Sequence, residues 1–228
     1  MNNKNEFNGF NPETVKFLKD IKSNNDKKWF EGHKQDYQQY LLKPLQRLVI
    51  DMSEFMLSID PDFEVRPAIN KTISTIYRDT RFAKDKSPLK STMWITFKRQ
   101  GKDWKDAPCY FFEITPEPYR YGMGFYSASN GTMEKLRNAI DAKSKKFLNI
   151  ISLYKKQQNF IIDGEKYKRI FDKNKSEEEQ NWYQRKNLYF VCNKTIDKHL
   201  FSKKLLDDLM LTFKQLSPFY HFLREMRS

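Results

Sequence analysis

Histidine, cysteine and glycine are all scarce in this chain, and each scarcity removes a class of chemistry. The three histidines, His33, His199 and His221, lie far apart, and the two cysteines, Cys109 and Cys192, sit in apolar runs. Neither set has the close spacing of a zinc site, and two thiols make no disulfide framework. No metal and no cofactor is expected, and both cysteines read as buried reduced thiols. Seven glycines in 228 residues leave no Gly-rich phosphate loop and no dinucleotide fingerprint. The Gly-x-Ser-x-Gly elbow of an α/β-hydrolase is missing as well. No apolar run approaches the ~20 residues of a membrane span, and the polar start Met1 to Asn11 lacks the apolar stretch of a secretory signal. The expectation is a soluble, cytoplasmic protein with no membrane partner.

What the chain does have is aromatic bulk and positive charge. Nineteen Phe, 12 Tyr and 4 Trp supply large apolar area per residue, enough for a sizeable core. The net charge is +13, which suits an anionic ligand, with nucleic acid among the candidates. Lysine outnumbers arginine 31 to 11 and is spread along the chain. Much of the charge therefore reads as solvated surface, and only 78–90 and 143–175 cluster it. The length fits a single domain over 1–228, with 1–10 as a flexible lead on which Phe7 and Phe10 dock, and 160–193 as a small subdomain.

Periodicity predicts an α+β fold: a largely antiparallel central sheet of about four to six strands packed with N- and C-terminal helices. Asn11-Pro12-Glu13 starts a helix. Asp26 caps the next, which carries Trp29, His33, Tyr37, Tyr40 and Leu41 on one stripe and continues to Ile59, with Pro44 kinking or splitting it. Strands are expected at 72–77, around Met93–Phe97, Cys109–Ile114 and Tyr119–Tyr126, then at Phe160–Ile162 and Leu188–Cys192. Short connections favour antiparallel pairing. Gly122 and Gly124 share one strand face and leave room for a close neighbour, whether packed element or ligand. Ser176-x-x-Glu179 is a capping box. Ser202 caps a final helix that restarts at Ser217-Pro218.

The chemistry concentrates in one stretch. Between Ile76 and Lys90 the chain places five cations, Arg78, Arg81, Lys84, Lys86 and Lys90, against two carboxylates, Asp79 and Asp85. Arginines offer planar, bidentate donors to carboxylate or phosphate; the lysines add point charge. Asp79 and Asp85 hold those side chains in position, and so many cations keep both acids ionised. Three readings follow. In the first, this loop binds a phosphate or carboxylate, with Trp29, Tyr77 and Phe82 available to stack and Arg137 as an outlying contributor. In the second, the same cations orient a small anionic substrate of an enzyme, and His33 carries the proton. In the third, Arg78–Asp79 and Arg81–Asp85 pairs lock the sheet to the helices and no ligand is involved.

Four stretches carry a resemblance. Arg78-Asp79-Thr80-Arg81-Phe82-Ala83-Lys84-Asp85-Lys86-Ser87-Pro88-Leu89-Lys90 resembles the signature of domain-of-unknown-function family 2461. Phe17-Leu18 followed by Asn24 to Phe30 and then His33 resembles its N-terminal motif, Tyr121 to Phe125 its glycine-bearing strand, and Ser217 to Leu223 its C-terminal ending. The resemblance spans nearly the whole chain and implies no activity. Leu89 stands where the family pattern leads one to expect an aromatic, which argues against stacking at that position.

Overall fold

A computed structural model describes residues 6–81, 84–102 and 104–227. The fold is α+β. Strands β1 (Met93–Phe97), β2 (Pro108–Ile114), β3 (Pro118–Phe125), β4 (Ile161–Asp163) and β5 (Tyr189–Thr195) form one antiparallel sheet in the order β1-β2-β3-β5-β4. β2 is buried along its whole length, as its nearly unbroken apolar sequence requires. β4 pairs with β5 in the register Ile161↔Val191, Ile162↔Phe190 and Asp163↔Tyr189.

The described chain packs as two compact units. One holds the residues up to Phe97 with Phe111–Arg120 and Asn193–Leu211; the other holds Lys98–Tyr110, Tyr121–Cys192 and the residues from Thr212 on.

In the first unit, α1 (Pro12–Ser23) begins at an Asn11 cap with Pro12 behind it and buries Val15, Phe17, Leu18 and Ile21. Residues 6–10 precede it, with Phe7 and Phe10 packed inward. The Phe7 amide donates to Asp51, and Phe10 stacks on Phe112. The remainder of the expected lead lies outside the described residues. Asp26 caps α2 (Lys27–Gly32), its Oδ1 accepting from the Trp29 amide at 2.8 Å. A short turn, α3 (Lys34–Asp36), follows, then a π-helix (Tyr37–Leu42), then α4 (Lys43–Ile59). The widened turn stands where a kink at Pro44 was expected. Proline has no N–H to give the carbonyl of Tyr40, and Thr14 Oγ1 donates to that carbonyl instead.

The strand expected at 72–77 does not form. Ile73 bridges Ile95 and Tyr77 bridges Leu89, each as an isolated contact. The ladder toward β1 starts, with Ser74 N–H on the Trp94 carbonyl and Thr96 N–H on the Thr72 carbonyl. It then stops because the Trp94 amide donates to the Ser74 hydroxyl where a continuing ladder needs the Ser74 carbonyl. The serine side chain competes with its own backbone.

In the second unit, α5 (Asn130–Asp141) and α6 (Lys145–Lys155) are capped by Ser129 and Ser144. The expected box at Ser176 and Glu179 opens α7 (Glu177–Tyr183). Phe147, Phe160, Trp182, Phe190 and Phe219 make an aromatic core. Helix α8 (Lys204–Met226) runs unbroken past Pro218, where a restart was expected. Pro218 and Lys214, whose carbonyl loses its N–H partner there, are both exposed. Among the described residues no helix is long and apolar enough to cross a membrane.

Candidate functional site

The basic stretch is closed at its base by two extended segments. Tyr77 bridges Leu89, the Arg78 amide donates to the Pro88 carbonyl at 2.9 Å, and the Lys90 amide donates to the Ile76 carbonyl at 2.8 Å. Side chains alternate along extended backbone, so Arg78 and Lys90 share one side of this pair while Tyr77 and Leu89 take the other. Leu89 is fully buried and Tyr77 is 44% exposed. Leucine therefore serves as core at the position where the family resemblance raised an aromatic.

Arg78 fastens the turn to itself. Its Nε donates to the Ser87 carbonyl at 3.1 Å, its Nη2 to the Leu89 carbonyl at 3.3 Å, and the same Nη2 lies 3.0 Å from Asp85 Oδ2. The Asp85 carboxylate is held below its ordinary range chiefly by the Ser87 hydrogen bond, with Arg78 adding less. Arg81 instead forks onto Asp79, with Nε and Nη2 at 2.9 and 2.8 Å from the two oxygens. That fork pulls the Asp79 carboxyl down to about 2. The expected pairs, Arg78–Asp79 and Arg81–Asp85, are thus exchanged. Two residues' separation lets Asp79 reach Arg81 across a local bend, while the return of the chain brings Asp85 to Arg78.

The two pairs differ in setting. The Arg78 side chain is 27% exposed, whereas Arg81 is 77% exposed. A clasp in open water contributes little and exchanges readily with another anion. Lys86 Nζ donates to the Thr80 carbonyl at 2.8 Å, and Lys84 is exposed. Lys90 is half-buried, and its ammonium has no hydrogen bond or ion pair among the described residues. Burial first, and then the neighbouring Arg78 charge, push its pKa down. Phe82 lies outside the described residues.

Helix α2 is tied to both arms of the turn. The Phe30 and Tyr77 rings meet edge to face at 5.6 Å. The Asn25 side-chain amide donates to the Leu89 carbonyl at 3.0 Å and accepts from its N–H at 2.9 Å. Asn25 entered the sequence reading within the stretch Asn24 to Phe30, and nothing in its local spacing marks the long-range clamp. Trp29 stacks on His33 at 4.1 Å and 15°, and His33 Nδ1 lies 2.8 Å from the Trp29 carbonyl. A carbonyl only accepts, so Nδ1 carries the proton and Nε2 is the acceptor in the neutral ring. Among the described residues neither Trp29 nor His33 makes a hydrogen bond, ion pair or ring contact with Arg78, Lys84, Lys86 or Lys90.

The other expected contributors belong to the second unit and are engaged there. Arg137 donates to the carbonyls of Tyr183 and Arg185 at 3.1 and 3.0 Å and lies over the rings of Tyr167 and Phe171, which makes it a cap for the end of α7. The close neighbour of Gly122 and Gly124 is the backbone of β5. A Cβ at Gly122 would stand 1.9 Å from the Phe190 carbonyl oxygen, and one at Gly124 would stand 2.3 Å from Tyr189 Cα. Cys109 and Cys192 are buried free thiols, and burial pushes Cys109 up to about 12. Among the described residues no group of three or more His, Cys, Asp and Glu side chains is placed to hold a metal ion.

Compared with known proteins, no curated protein matches the chain. A family model described as conserved hypothetical protein (DUF2461) matches residues 13–222.

Proposed function

Because the chain belongs to the conserved hypothetical protein family DUF2461, whose description names no activity, we propose from its own geometry that it is an anion-binding module, with phosphate or carboxylate seated on the 78–90 turn. One observation carries this reading: Lys90 is half-buried beside the Arg78 guanidinium and lacks an acidic partner among the described residues. A desolvated cation next to a like charge is held at a cost, and an incoming anion relieves it. Arg78 acts as the frame of the turn. Arg81, Lys84 and Lys86, exposed at its outer side, supply the attraction that brings the anion in. Asp79 is displaced from Arg81 as the anion arrives.

Titration with inorganic phosphate at low ionic strength tests the reading, observed by NMR of the lysine and arginine side chains. The expected result is saturable binding that weakens with added salt and drops at least tenfold in Lys90→Met and in the double variant Arg81→Ala/Lys86→Ala. Unchanged phosphate affinity in both variants defeats the proposal. A single-stranded oligonucleotide titrated in parallel separates a nucleic-acid partner from a small anion. Tighter binding with a steep salt dependence points to the former.

A further inference from the structure

A cleft of about 440 Å³ opens in the first unit, lined by Phe30, Tyr37, Ile69, Ile76 and Tyr77, with Lys34 among its polar members. Its size falls within the roughly 300–1,000 Å³ of small-molecule sites, and its exposed lining is mostly apolar, as such sites usually are. Three observations single it out. Tyr37 opens the π-helix Tyr37–Leu42, a backbone form that costs hydrogen-bond geometry and recurs at functional sites. The Tyr37 hydroxyl is shut off from solvent and has no hydrogen-bond partner among the described residues, although a buried hydroxyl left unpaired is costly. Ile69 and Tyr77 leave large apolar surface uncovered at 37% and 44% exposure.

The polar groups define what fits. Burial pushes the Tyr37 phenol up to about 12, and the Tyr77 phenol adds to the shift. Tyr37 therefore keeps its proton near neutrality and is a donor in want of an acceptor. Tyr37 and Tyr77 line the same cleft. Lys34 brings a positive charge, which Glu31 holds only in an exposed pair that yields readily to a better-placed anion. The rings of Phe30 and Tyr77, edge to face at 5.6 Å, offer aromatic surface to a flat partner.

We propose that this cleft binds a small aromatic carboxylate, its ring against Phe30, Tyr77 and Ile69 and its carboxylate accepting from the Tyr37 hydroxyl beside Lys34. The site stands independently of the anion reading at the 78–90 turn.

The test uses 1-naphthoate as probe, followed by its fluorescence and by amide chemical shifts of the full chain. Binding is expected to shift residues 30–38 and 69–77, and cyclohexanecarboxylate, equal in charge but without a flat π-face, is expected to bind at least tenfold more weakly. Tyr37→Phe keeps the ring and removes the unpaired hydroxyl. It is expected to weaken 1-naphthoate about tenfold or more while the melting temperature holds or rises. Phosphate binding by the same variant stays at the wild-type level, which separates this site from the turn. Should Tyr37→Phe fail to fold, Gln38→Trp, at an exposed position on the same lining, is expected to abolish 1-naphthoate binding by filling the cleft. No saturable binding of 1-naphthoate, or equal affinity in the folded variant and the wild type, overturns the proposal.

Discussion

Asn25 holds Leu89 by both of its backbone groups, donating to the carbonyl at 3.0 Å and accepting from the N–H at 2.9 Å, across 64 positions of sequence. One side chain thereby stands in for a strand that the turn lacks. In Asn25→Ala the Leu89 amide loses its acceptor, while its carbonyl keeps Arg78. An unmade hydrogen bond at a part-buried group costs about 1–3 kcal/mol. Denaturant unfolding should show a loss of that size, and hydrogen exchange at Leu89 and Lys90 should accelerate. A variant as stable and as protected as the parent would show that Asn25 is incidental to the turn.

The two arginines of the turn should separate stability from binding. Arg78→Ala removes three contacts to Ser87, Leu89 and Asp85 and should lower stability by about 1–3 kcal/mol. Arg78→Lys should rescue little, since an ammonium cannot address two carbonyls and a carboxylate in the fork geometry. Arg81→Ala, at an exposed clasp, should leave the melting temperature unchanged and weaken phosphate binding. The opposite pattern, a stable Arg78→Ala and an unfolded Arg81→Ala, would reverse the roles assigned here.

How far the sequence discloses this molecule depends on the range of the force involved. Caps and local periodicity are short-range, and the Asn11, Asp26 and Ser176 starts were legible because cap and helix lie within four residues. The α+β class followed from strand-length apolar runs set between helical ones. What the pattern hid is contested or distant. At 72–77 the alternation is that of a strand, yet the Ser74 hydroxyl takes the hydrogen bond that the ladder needs. The basic cluster was visible as charge, but the choice of Asp85 rather than Asp79 for Arg78 depends on how the turn returns. Tyr37 looked like one more residue on a helical stripe. Its unpaired hydroxyl and the π-turn become visible only once Pro44, Thr14 and Tyr40 are placed together.

Two glycines with opposite surroundings give a contrast within one protein. At Gly122 a Cβ would stand 1.9 Å from the Phe190 carbonyl oxygen, whereas at Gly32 nothing lies within 4 Å. Gly122→Ala must push backbone against backbone, and overpacking of this kind costs about 1–3 kcal/mol or more. Gly32→Ala ends α2 with a better helix former and should be neutral or stabilising by up to about 1 kcal/mol. Thermal unfolding of the two variants checks both. A Gly122→Ala protein that melts with the wild type would mean that β3 and β5 lie farther apart than described.

Acid should find its target at Glu64. Its carboxylate is 5% exposed and accepts from the Arg66 amide at 3.0 Å and from Arg66 Nε at 2.8 Å. The Arg66 side chain first, and then its amide, lower the carboxyl from an ordinary 4.5 to about 2. The folded pKa lies below the unfolded one, so between these values the unfolded chain binds more protons and stability decreases as pH is lowered. The stabilisation is complete above pH 4.5 and disappears as pH drops toward 2. Glu64→Gln lacks the titrating group, and its deficit relative to wild type should be widest near pH 7 and close steadily below pH 4.5. Urea midpoints for both proteins at pH 7, 4 and 3 measure that gap, with the other carboxylates cancelling in the difference. A gap that stays constant across the three values would mean that Arg66 does not hold Glu64 in its charged form.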